Sequence, residues 1–196
     1  MPNRTLTYYN THAHSFASTT MNVDFTATQT HFLSYLPSNA IILDFGCGSG
    51  RDTKFFLNRG YRVDAIDGSE KLCKIASEYT GIEVKQQLFS ELNVQEVYDG
   101  IWACSSILHL SKSELKDVFE KMLRALKSDG WIYTSFKLGT FEGMRRERYF
   151  TDFTIDTFRD FAWQIEHLKI QEYWITGDVR PERGDEKWLN LILQKD

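Results

Sequence analysis

The sequence predicts an α/β fold: a doubly wound, mostly parallel sheet of seven strands that ends in an antiparallel pair. Three observations carry this. Between residues 40 and 136, short apolar runs alternate with stretches of helical period. The first of these runs leads straight into three closely spaced glycines, Gly46, Gly48 and Gly50, in "ILDFGCGSGRD". Beyond residue 165, two β-rich runs follow each other with no helical stretch between them. The 196 residues suffice for one domain with a sizeable core, and 42% hydrophobic with 26% charged residues is globular composition. A net charge of -4 supplies no overall field for a nucleic acid backbone, so such a contact needs a local patch.

The elements follow in order. Residues 1–22, rich in Thr, Asn, His and Ser, read as a polar arm. Residues 23–36 read as a helix with Phe25, Phe32 and Leu36 near one face, ended by Pro37. Residues 40–44 form a short, fully apolar strand, and 53–59 a helix stopped by Gly60. A strand over 61–67 ends in an acid, Asp67. The helix over 69–80 carries Leu72, Ile75, Ala76 and Tyr79 at helical spacing and stops at Gly81. Strands follow at 82–86 and 100–104. Ser111 and Glu114 make a capping box for a helix with Leu115, Val118, Phe119, Met122 and Leu126 on one face. The turn "KSDG" leads to a strand over 131–136. Residues 154–165 read as a helix, and 169–176 and 188–193 as an antiparallel strand pair joined by "GDVRPERGDEK". No linker divides the chain. It reads as one domain: arm and first helix over 1–36, a cofactor-binding core over 38–140, and a substrate-side helix and strand pair over 141–196.

Cys47, Cys73 and Cys104 are odd in number and form no CxxC pair, so the chain reads as reduced and cytoplasmic, without disulfide or zinc site. The N-terminal stretch lacks the apolar core of a signal peptide, and no run approaches a membrane span of roughly 18 residues.

In an open parallel sheet, ligands sit at the carboxyl ends of the strands, where strand order reverses. Glycine there tolerates positive φ and lets a ligand touch the backbone, while the next helix aims its free N–H groups at the site. Asp67, ending the second strand, is placed to accept from both hydroxyls of a ribose. Two ligand classes fit, a dinucleotide and S-adenosylmethionine. A dinucleotide turn needs G-x-G-x-x-G, but here the spacing is G-x-G-x-G and Arg51 holds the position of the third glycine. Asp44, just before the glycines, would repel a pyrophosphate but suits an ammonium and a sulfonium.

Together, "ILDFGCGSG", "VDAIDGS" and "YDGIWACSSILHL" resemble the class I S-adenosylmethionine-dependent methyltransferases, and the resemblance covers roughly residues 38–140. It implies the Rossmann-like methyltransferase fold, S-adenosylmethionine as cofactor and S-adenosylhomocysteine as product. It further implies that Gly46, Gly48 and Gly50, with Cys47 between them, admit the methionine part and that Asp44 fixes its amino end. Asp67 would hold the ribose, with Gly68 and Ser69 along the same edge. Leu88 and Phe89 would flank the adenine, and Ala103, Cys104 and Ile107 would face the methionine end. Arg51 would pair with the cofactor carboxylate through a forked contact.

On the substrate side, His109 is the candidate base, since its ordinary pKa near 6.5 suits proton removal at neutral pH; a structural role is its rival. His12 and His14 lie close together without acidic companions, so no metal is expected. Lys137, Arg145 and Arg148 follow the fifth strand, and Arg180 follows the sixth. Both loops emerge at the cofactor edge, where they would make an anion-binding rim for a small methyl acceptor. Tyr8, Tyr9 and Phe16 would let the arm fold over the cofactor as a lid. Three other readings remain open: methylation of a modified RNA base or nucleotide, a non-catalytic S-adenosylmethionine-binding protein, and an NAD(P) oxidoreductase.

Overall fold

A computed structural model describes residues 4–180, 183 and 185–196. Its strands are β1 (Ile41–Phe45), β2 (Arg62–Asp67), β3 (Lys85–Gln86), β4 (Tyr98–Ala103), β5 (Leu126–Lys137), β6 (Glu142–Arg145), β7 (Arg148–Thr151), β8 (Leu168–Gly177) and β9 (Lys187–Lys195). The helices are α1 (Arg4–Thr11), α2 (Ala13–Thr20), α3 (Thr26–Leu33), α4 (Arg51–Asn58), α5 (Glu70–Thr80), α6 (Lys112–Ala125) and α7 (Ile155–Ala162). Single 3₁₀ turns lie at Phe89–Glu91 and Ile107–His109.

Seven strands form one sheet in the order β3-β2-β1-β4-β5-β9-β8. All neighbours are parallel except β9, which runs antiparallel to both β5 and β8. Order reverses between β1 and β4, which places a cleft at their carboxyl ends. Apart from Asp44, the β1 strand is apolar because both its faces are covered. Leu43 and Phe45 join a core with α6 and α7, whereas Ile42 packs with Phe32 of α3 and Phe56 of α4. Ala65, Cys73 and Ala76 seat α5 on the sheet. The capping box closes as expected, with the Glu114 N–H on Ser111 Oγ and the Ser111 N–H on the Glu114 carboxylate.

Four local expectations need correction. The polar arm is helical: α1 and α2 bury Thr5, Ala13 and Ala17 against the body, so tertiary packing overrides weak Thr/Ser/Asn propensity. The "KSDG" turn lies inside β5, as a bulge between the pairs Tyr98–Leu126 and Gly100–Trp131, with Asp129 at φ 58°. The arginine-rich stretch after β5 is a hairpin, β6–β7, turned by Arg146 at φ 57°. The strand expected over 82–86 is confined to Lys85–Gln86.

Candidate active site

A cavity of about 510 Å³ opens at the carboxyl edge of the sheet, within the ~300–1,000 Å³ usual for small-molecule sites. One half is bounded by Gly46, Gly48, Asp67, Gly68, Leu88 and Phe89. The other is bounded by Ser135, Lys137, Arg148, Arg180, Trp188 and Asn190. Cys104 and Ser105 lie on its lining as well, and Leu6, Tyr9 and Phe16 of the arm help to roof it.

The glycines divide their labour. Gly46 has φ 88°, and a Cβ there would lie 2.5 Å from Ser106 Cβ, so this turn fits only without a side chain. Gly50 has φ 81°, and its Cβ would meet Thr80 Cγ2 at 2.8 Å; it seats α4 against α5 and lies off the cavity lining. Gly48 lies on the lining beneath Phe16, 3.1 Å from where its Cβ would be. Gly50 is thus a packing glycine, a correction to its expected ligand role. Cys47 lies on the lining, and burial pushes its thiol pKa well above the ordinary value, so it acts as a small filler.

Asp67 is buried where β2 ends. One carboxylate oxygen accepts from Gly48 N–H at 3.0 Å and the other from Ser69 N–H at 2.8 Å. Burial still raises its pKa, because these N–H donors offset only part of the desolvation. A vicinal diol on the cavity side would bring the further donors that such a carboxylate lacks. Donor chemistry and cavity size therefore fit a nucleoside ligand at this edge. Ser69 itself caps α5, accepting from Leu72 N–H and donating to Asn10 of the arm, and is not part of the lining.

Two other expected contacts go elsewhere. Asp44 lies behind the glycine turn and off the lining, taking a 2.5 Å hydrogen bond from Thr53 of α4; burial and the nearby Asp52 raise its pKa. Arg51 does make a fork, but to the adjacent Asp52, at 2.7 and 2.9 Å. Asp52 also accepts from Gln29 Nε2 at 2.6 Å and Trp102 Nε1 at 2.8 Å. Burial works to raise the Asp52 pKa, but the guanidinium and these donors outweigh it and hold the carboxyl below its ordinary value. Ala103 and Ile107 are fully buried in the core and off the lining; of the expected group, Cys104 alone reaches the cavity.

His109 lies on the lining, with both ring nitrogens engaged. Nδ1–H donates to the Tyr149 carbonyl at 2.6 Å, and Nε2 accepts from the Tyr9 hydroxyl at 2.8 Å. Burial pushes its pKa down to about 4. It bridges arm and hairpin as a strut, the structural alternative to a base. Arg148 donates to the same phenol oxygen at 3.2 Å and lies over the Tyr8 ring at 4.6 Å. Lys137 pairs with Glu186, and Arg180 with Asp178 through two nitrogens. Arg145 is bound to Asp152 at 2.7 Å and does not reach the cavity. Among the described residues, Arg148 has no carboxylate within ion-pair distance. Pro181, Glu182 and Gly184, from the loop expected to complete this rim, lie outside the described residues.

Sequence reasoning missed the polar row Ser105–Ser135–Asn190 and the Gln29–Asp52–Trp102 network. Both join residues far apart in the chain, and no local pattern marks them. Among the described residues no helix is long and apolar enough to cross a membrane.

The chain is similar in sequence and fold to known proteins. The methyltransferase domain family matches residues 42–130. An uncharacterized methyltransferase of Staphylococcus carnosus is 26% identical over 160 residues, covering 77% of each chain. A Geobacillus protein named as a methyltransferase is 32% identical over 157 residues, 73% of this chain and 62% of that one. Among solved structures, the 1,6-didemethyltoxoflavin-N1-methyltransferase of Burkholderia thailandensis superposes with a TM-score of 0.78 at 20% identity, covering 97% of this chain and 86% of that one. A TehB-like S-adenosylmethionine-dependent methyltransferase of Corynebacterium glutamicum gives 0.70 at 18% identity, covering 97% and 98%.

Proposed function

We propose that this chain is a class I S-adenosylmethionine-dependent methyltransferase and that it methylates a small anionic molecule held at the cation-bearing end of its cavity. The observation that carries the reading is Arg148: a guanidinium on the cavity wall, next to Lys137 and Arg180, whose charge no described carboxylate neutralises. The cofactor supplies an already activated methyl group, so the protein's contribution is alignment. In this reading Asp67 holds the ribose, Gly46 and Gly48 give the methionine part its approach, and Leu88 and Phe89 flank the adenine. Residues 1–36 roof the site, 38–140 bind cofactor, and 141–196 bring the acceptor-side cations. A small acceptor is in keeping with the 1,6-didemethyltoxoflavin bound to the Burkholderia protein.

The test has two steps. Calorimetric titration with S-adenosylmethionine, S-adenosylhomocysteine and NADH should show binding of the first two alone, lost in Asp67→Ala. Acceptors are then screened by S-adenosylhomocysteine release. Arg148→Ala should raise the KM of an anionic acceptor about tenfold or more, the worth of a charge-assisted hydrogen bond. An unchanged KM removes the anion reading; preference for NADH removes the cofactor reading.

A further inference from the structure

We propose that Ser105 and Ser135 form a hydroxyl pair that holds the methyl-accepting heteroatom at the boundary between the two halves of the cavity. The inference rests on the reading that the cofactor occupies the glycine-turn half. Ser105 has φ 51°, a left-handed conformation that a residue with a side chain adopts at a cost in strain. What holds it there is Ser135 on β5, whose Oγ accepts the Ser105 N–H at 2.9 Å and lies 3.2 Å from the Ser105 hydroxyl.

The left-handed residue splits the chain beyond β4 in two directions. Ser106 turns towards β1: it is buried, its Cβ abuts Gly46, and its hydroxyl donates to the Phe45 carbonyl at 2.6 Å. Ser105 turns the other way, towards β5, and both it and Ser135 line the cavity. Their neighbours are already committed. Asn190, opposite Ser135 in the β5–β9 register, accepts from the Tyr133 hydroxyl and donates to Thr176 Oγ1. The Cys104 thiol is held protonated by burial. His109 has no free nitrogen.

The hydroxyl pair is different. Each hydroxyl can donate one hydrogen bond and accept two, so the N–H contact, the mutual contact and the 3.9 Å contact of Ser105 Oγ with Cys104 Sγ still leave capacity on both oxygens. A heteroatom carrying an N–H or O–H can donate to this pair while its lone pair points at the cofactor half. Strain stored at a residue that lines a cavity between cofactor and cation sites is the pattern expected of a positioning element in a reaction.

The test needs no acceptor. Sinefungin carries an amine where the cofactor carries its sulfonium methyl, so its ammonium marks the transfer position. S-adenosylhomocysteine has nothing there. Kd values for both are measured by calorimetry on the full-length protein, on Ser105→Gly and on Ser135→Ala. Ser105→Gly removes the hydroxyl and suits the left-handed backbone, so folding is preserved. The wild type should prefer sinefungin, and Ser105→Gly should lower that preference about tenfold while leaving the S-adenosylhomocysteine Kd within about twofold. Ser135→Ala should lower it in the same direction. A wild type without preference, or a preference unchanged in both variants, overturns the proposal. A wild type that binds neither compound overturns the cofactor reading, and this one with it.

Discussion

His109 has its Nδ1–H on the Tyr149 carbonyl and its Nε2 2.8 Å from the Tyr9 hydroxyl, and burial favours the neutral ring there. Its folded pKa, near 4, lies below the ordinary value of about 6.5. Between these values the unfolded chain binds the proton that the folded ring refuses. The stability this histidine contributes is therefore present above about pH 6.5 and is lost as pH falls towards 4. The advantage of wild type over His109→Asn should shrink by about 2 kcal/mol between pH 7 and pH 5. Urea denaturation of both proteins at the two pH values checks this; a pH-independent difference would deny the neutral strut. The residue's position past the fourth strand was legible in the sequence, but its partners were not. They lie on the arm and the hairpin, far from it in the chain, and no local pattern marks the contact. Asp67 was legible because its role follows from where one strand ends. Arg51 was not, because the acid that captures its fork is its own chain neighbour, drawn inward by Gln29 and Trp102.

At the scale of elements, the arm and the β6–β7 hairpin close the site together. Tyr149 N–H donates to Thr5 Oγ1 at 3.1 Å, Thr20 donates to Ser49 Oγ at 3.1 Å, and Asn10 receives Ser69 Oγ–H at 2.8 Å. Tyr9 joins them centrally, bonded at once to His109 and Arg148. Tyr9→Phe keeps the ring and deletes both hydrogen bonds, each worth about 1 kcal/mol. Amide exchange over residues 4–20 should then speed up several-fold while the sheet keeps its wild-type rates; unaltered exchange in the arm would mean that the phenol does not fasten it. These elements escaped sequence reading for separate reasons. Thr, Ser and Asn form helices poorly alone, and α1 and α2 depend on what they cover. The hairpin carries Arg145, Arg146 and Arg148 where apolar alternation would have announced strands. The α4–α6 helices announced themselves through glycine stops and capping, which are local signals.

For the whole molecule, the doubly wound topology follows from strand–helix alternation, and the antiparallel β9 from the missing helix before it. The same alternation hid the β5 bulge, because Asp129-Gly130 has the chemistry of an ordinary turn. The sheet should exchange its amides from the outside in: slowest in β1, β4, β5 and β9, which are paired on both sides, and fastest in the two-residue β3 at one edge. Native-state exchange by NMR tests the order, and a slow β3 would contradict it. Trp102 lies at the middle of this sheet, stacked on Tyr133 at 4.0 Å, with its indole N–H on Asp52, which in turn grips Arg51 on the cavity wall. Trp163, in contrast, is 90% exposed at the far end of α7. With Trp131, Trp174 and Trp188 replaced by Phe, the chain would carry its own optical gauge: an internal indole wired through one carboxylate to a guanidinium at the cavity wall, and an outer one bathed in solvent as its reference. A ligand that disturbs Arg51 shifts the colour of the first and leaves the second as it was.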